Sequence, residues 1–63
     1  MPPDKALSAA LVASQVRAEL AMASISGRKL AAEMGWSLDG TSRRLRGDVS
    51  FRAEELLALS RFL

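Results

Sequence analysis

The sequence predicts an all-α fold, a small bundle of four short helices, and three observations carry that prediction. Apolar residues recur at three- and four-residue steps through four segments, each bounded by a serine, an aspartate or a glycine. The chain has 63 residues, enough for one domain. At that length only about 60% of the unfolded surface is buried, and helices joined by short turns close such a core at least cost. Hydrophobic residues make up 49% of the chain, yet many are alanine and only three are aromatic, which favours close helix packing over a thick core.

Taken in order, Met1, Pro2 and Pro3 are too restricted for helix, and Asp4 is the expected cap, so residues 1–4 read as a cap or arm before a single domain over 5–63. Helix 1 is predicted from about Lys5 to Ala23. Leu7, Leu11, Val12, Val16, Leu20 and Ala23 mark its core face, and Ser14, Arg17 and Glu19 its wet side. It reads as scaffold, with a phosphate contact from Arg17 or Lys5 as the alternative.

Ser26 is placed to cap helix 2, Gly27 to Met34, with Ile25 as a hydrophobic staple against Leu30. Leu30, Ala31 and Met34 face inward, leaving Arg28, Lys29 and Glu33 in water. Gly35 then takes the left-handed conformation that ends the helix. Trp36 has two competing uses, filling the angle between helices 2 and 3 or stacking on a nucleobase.

Ser37 caps helix 3, Leu38 to about Arg46, with Thr41 and Leu45 inward and Leu38, Asp39, Ser42, Arg43 and Arg46 outward. Gly40 costs roughly 1 kcal/mol in a helix interior, which close approach to DNA or to helix 2 would justify. Gly47 stops the helix and leaves Arg44 and Arg46 near its negative dipole end. Asp48 and Val49 form a link, and Ser50 is the expected cap of helix 4, Phe51 to about Phe62. Leu56, Leu57, Leu59, Phe62 and Leu63 supply its apolar surface. The apolar end at Phe62 and Leu63 reads as the N-terminal part of a longer chain, with room for a fifth helix beyond.

Charge distribution narrows the function. Residues 1–25 sum to zero, residues 26–47 to +3 and residues 48–63 to −1, so the excess sits where a polyanion would be met. The absence of cysteine and histidine leaves a metal only carboxylates and removes two common catalytic groups, so neither a metal site, a cofactor nor an enzyme is expected. No run of 18 apolar residues exists, and the first apolar stretch is interrupted by Ser14, Gln15, Arg17 and Glu19, against both a membrane span and a signal peptide. A cytoplasmic location is the expectation.

The runs Ser26-Gly27-Arg28-Lys29-Leu30-Ala31, Met34-Gly35-Trp36-Ser37 and Ser42-Arg43-Arg44-Leu45-Arg46-Gly47 resemble the lambda-repressor-like helix-turn-helix family of Cro and CI type. The likeness is to the branch common in actinobacteria and their phages, and it extends from about Val16 to Leu63. It implies double-stranded DNA as the partner, with helix 3 entering the major groove by its N-terminal end. The base-reading positions then fall on Leu38, Asp39 and Arg43, with Ser42 near the backbone or a base edge. The phosphate-gripping start of helix 2 falls on Gly27, with Ser26 and Arg28 as helpers. Leu38 and Asp39 depart from the glutamine or serine of many relatives.

The chemistry of these side chains agrees. Arg43 can offer two parallel donors to guanine O6 and N7; Leu38 can meet a thymine methyl or be a plain exposed apolar residue. Asp39 can accept from cytosine N4 or merely stabilise the first turn, and Arg44 and Arg46 are read as phosphate contacts. One such module covers half a helical turn of DNA, so a homodimer or a C-terminal oligomerisation region is implied. The expected function is sequence-specific DNA binding by a phage-immunity type of transcriptional repressor. The alternatives are an antitoxin-type regulator, or a protein-interaction module using helix 4 and exposed Leu38.

Overall fold

The computed structural model describes the chain from Lys5 to Leu63, and its side chains from Ala9 onward. Four helices follow in order: α1 (Lys5–Met22), α2 (Gly27–Met34), α3 (Leu38–Arg46) and α4 (Ala53–Phe62), with no strand among the described residues. The cap assigned to Asp4 and the side chains of Lys5 and Leu7 lie outside the described residues.

Capping fixes where α2 and α3 begin. Ser26 Oγ accepts from the Lys29 backbone N–H at 3.1 Å, and Ser37 Oγ accepts from that of Gly40 at 2.9 Å. The first three helices then end alike, in a left-handed residue with a backbone N–H just beyond it reaching back to the last turn. Ile25 donates to the Leu20 carbonyl at 2.9 Å, Trp36 to Ala31 at 3.0 Å and Asp48 to Arg43 at 2.9 Å. Gly35 and Gly47 take the left-handed position in two of these turns, whereas α1 uses Ser24 at φ 57°.

The core is Val16, Leu20, Leu30 and Leu59, so α1, α2 and α4 each contribute to its centre. Val12, Ile25, Met34, Trp36, Leu45, Phe51, Leu56 and Phe62 pack around it. Thr41 joins from α3, 2% exposed, and its hydroxyl is satisfied by donating to the Ser37 carbonyl at 2.9 Å.

Two expectations are corrected. Leu11 is not a core residue: it is 64% exposed, because Ala9, Ala13, Val16 and Leu20 form the inward face, and a residue two places from Ala13 stands about 200° round the helix. Small residues are required where the end of α3 meets α1, at Ala9 and Ala10. A Cβ on Gly47 would lie 3.1 Å from Ala10 Cα, so the end of α3 meets α1 backbone against backbone. Ala23 likewise lies outside α1 and is exposed. The second correction is the start of α4, at Ala53 instead of Phe51, with Arg52 and not Ser50 at the capping position. Glu55 decides the register, its Oε1 accepting from the Arg52 backbone N–H at 2.9 Å. Phe51 is thereby left in the link, where its ring lies 6.1 Å from that of Trp36.

Gly35 and Gly47 differ in one respect that a stability measurement resolves. Both have positive φ, but only Gly47 has a backbone neighbour in the path of a Cβ. Gly35→Ala should cost about 1 kcal/mol from conformation alone, and Gly47→Ala about 2 kcal/mol or more. Urea midpoints give the comparison, and equal losses would show that the approach of Gly47 to Ala10 contributes nothing.

Candidate nucleic-acid interface

Helix α3 is divided lengthwise by what its residues touch. Thr41 and Leu45 face α1 and α2, while Arg44 reaches Glu55 on α4 and folds back over Gly40. At 100° per residue the remaining positions, Leu38, Ser42, Arg46, Asp39 and Arg43, share an arc of about 140°. Leu38 on that arc is 55% exposed. Beside it runs an open groove of about 480 Å³, lined by Arg17, Gly27, Arg28, Leu38, Thr41, Ser42, Leu45 and Arg46.

The groove therefore brings together Leu38 and Ser42, read from the sequence as base contacts, with Gly27, Arg28 and Arg46, read as backbone contacts. Asp39 and Arg43 lie on the adjoining flank, as an i, i+4 ion pair with Arg43 Nε 3.0 Å from Asp39 Oδ2. Ser26 stands exposed at the start of α2, where the N–H groups of Gly27 and Arg28 have no carbonyl within the helix to receive them. A Cβ on Gly27 would meet only Leu45 Cδ1, at 3.6 Å, so packing does not demand a glycine there. Among the described residues no carboxylate lies within ion-pair distance of Arg28. Arg46 is partly engaged: its Nε meets Asp48 Oδ2 at 3.0 Å, and its Nη1 donates to Ser42 Oγ at 2.9 Å.

Arg44 departs from the expectation of a phosphate contact. Its guanidinium bonds Glu55 through Nε at 3.4 Å and Nη2 at 3.1 Å, and Nη1 donates to the Gly40 carbonyl at 3.1 Å. The same group lies 4.3 Å from the centre of the Trp36 ring. All three nitrogens are thus used inside the fold. Gly40 gains a reason from this arrangement: a Cβ there would stand 3.0 Å from Ser37 Oγ and 3.2 Å from Arg44 Nη1, crowding both the cap and the arginine. Trp36 is half-buried, with one face of its indole covered by Arg44, and packs against the core.

Arg17, read from the sequence as scaffold with a phosphate contact as the alternative, forms a wall of the groove. It donates across 28 residues to the Leu45 carbonyl, in the last turn of α3 where carbonyls lack helical partners. No local pattern marks so distant a partner. Glu55 is likewise joined to a partner, Arg44, on another helix 11 residues back.

Burial pushes the Glu55 carboxyl up, but the Arg44 hydrogen bond, the Arg52 backbone N–H and the charges of both arginines outweigh it and hold the group below its ordinary value of 4.5. The pair is well shielded, its side chains 20% and 14% exposed for Arg44 and Glu55.

With no family model, curated protein or solved structure found to match the chain, the comparisons leave the reading of this surface to its geometry.

A carboxyl whose folded-state value is depressed contributes stability above its unfolded value, and that contribution is lost as pH falls through the folded one. Glu55→Gln should cost about 2 kcal/mol at neutral pH. The gap from the unaltered protein should then narrow on acidification below about pH 4.5. Urea unfolding of both proteins across that range supplies the measurement; a gap independent of pH would mean that the charge of Glu55 plays no part.

Proposed function

We propose that the chain is a sequence-specific double-stranded DNA-binding domain of the lambda-repressor-like helix-turn-helix type, serving a transcriptional repressor of the phage-immunity kind. The observation that carries the proposal is the convergence of Leu38, Ser42, Gly27, Arg28 and Arg46 on one groove, with Arg43 on its flank. Residues from two helices, selected by position in the sequence, line a single surface without being required there by the core. In this reading α3 enters the major groove by its N-terminal end. Arg43 pairs with guanine, Leu38 meets a thymine methyl and Ser42 contacts a base edge. The start of α2, through Ser26, Gly27 and Arg28, holds one phosphate, and Arg46 another.

A further feature supports it. The segment that contains the groove's basic residues other than Arg17 carries the chain's positive excess. A second reading, a protein-interaction module, draws on Leu57 and Leu63 of the α4 region, both exposed. The groove that Leu38 lines contains no residue of α4, which favours DNA for that surface. Pairing through the outward side of α4 would give a second copy for the other half-site.

The test is selection from randomised duplex DNA at about 0.15 M salt, for the unaltered protein and for Arg43→Ala. A short guanine-containing half-site is expected, whose guanine preference, about 1 to 3 kcal/mol, disappears in the variant. Failure of any motif to emerge would sink the specific-binding proposal and leave the interaction module in its place.

A further inference from the structure

We infer that Asp39 is a positioning residue, one that holds the Arg43 guanidinium end-on for a bidentate contact with guanine and itself reads no base. The inference rests on the DNA-binding proposal, and it reassigns a carboxylate that the sequence offers as a partner for cytosine N4.

Donor use by the three arginines of α3 leads to it. A guanidinium has five N–H donors, one on Nε and two on each terminal nitrogen. Arg44 spends Nε and Nη2 on Glu55 and Nη1 on the Gly40 carbonyl. Arg46 spends Nε on Asp48 and Nη1 on Ser42. In Arg43 the ion pair brings Nε to 3.0 Å from Asp39 Oδ2, and among the described residues neither Nη1 nor Nη2 makes a hydrogen bond. Those two terminal nitrogens are the pair whose spacing matches O6 and N7 of guanine.

Direction matters as well. Asp39 precedes Arg43 by one turn, so the pair draws the guanidinium back toward the N-terminal end of α3, the end that meets the bases in this docking mode. Both side chains stay largely in water, 56% exposed for Arg43 and 72% for Asp39, so the fork is not pressed against the protein. An exposed pair of this kind adds little stability. Its effect is on where the arginine goes: a freed guanidinium of the same reach swings to the nearest phosphate, which every sequence offers. The Asp39 charge further penalises phosphate contact, so the pair trades affinity for discrimination.

The experiment compares Asp39→Ala with Arg43→Ala and the unaltered protein in the same selection, and adds binding to a duplex that lacks the enriched motif. Asp39→Ala should flatten the same guanine position that Arg43→Ala flattens, from a preference of about tenfold or more to within about threefold. Binding to the unrelated duplex should tighten severalfold, because a negative charge has left a surface that faces phosphates. Thermal unfolding by circular dichroism should move by no more than about 3 °C, separating lost readout from lost order. An intact guanine position in Asp39→Ala, or loss at a different position that carries cytosine, overturns the positioning role while leaving DNA recognition standing. Absence of any motif for the unaltered protein overturns both.

Discussion

Arg44 is the group on which the arrangement of the last two helices depends. Its guanidinium joins α3 to Glu55 on α4, lies over the Trp36 ring and bonds the carbonyl of Gly40 one turn back. Glu55 in turn receives the backbone N–H of Arg52, so the same carboxylate sets where α4 begins. A charge-assisted, bidentate contact shielded from water is worth about 2 kcal/mol, and a domain of this size holds only about 5 kcal/mol in reserve. Loss of either partner would also leave the other without its counter-charge in a partly shielded site.

Around that polar pin the chain builds with little volume. Four residues form the buried centre of the cluster, one of them a valine, and closeness replaces bulk elsewhere. Gly47 sets its backbone against Ala10, with Ala9 and Ala13 buried on the same side of α1. Gly40 leaves room for the Arg44 side chain to fold back along its own helix. The alanines at 9, 10 and 13 suit this approach: a larger side chain where Gly47 meets α1 would lift α3 away, whereas Leu20 fills the core farther along the helix and Leu11 stands outside.

What could be read from the sequence was whatever local chemistry decides. Ser26, Gly35, Ser37 and Gly47 fix the limits of α2 and α3, and each acts within four residues of its own position, so the predicted bounds match those observed. The turn after α1 gave no comparable sign, because Ser24 adopts a left-handed conformation that glycine usually announces. Ser50 and Phe51 were misplaced because the start of α4 is chosen by Glu55, whose partner Arg44 lies 11 residues back on another helix. The same blindness to distance assigned Arg44 to phosphate and read Arg17 first as scaffold. The outward positions of α3 were legible, since three- and four-residue spacing alone separates Leu38, Ser42 and Arg46 from Thr41 and Leu45.

The lengthwise division of α3 has a consequence for how such a domain changes over time. Thr41, Arg44, Leu45 and Gly40 secure the helix, while Leu38, Asp39, Ser42, Arg43 and Arg46 bond only one another and Asp48. Five of nine positions are consequently open to replacement with small cost to folding. Gene duplicates could diverge on that strip while keeping one scaffold, and a designer could graft an unrelated strip onto it. Heritable variation in what the surface meets is thereby uncoupled from variation in whether the chain folds.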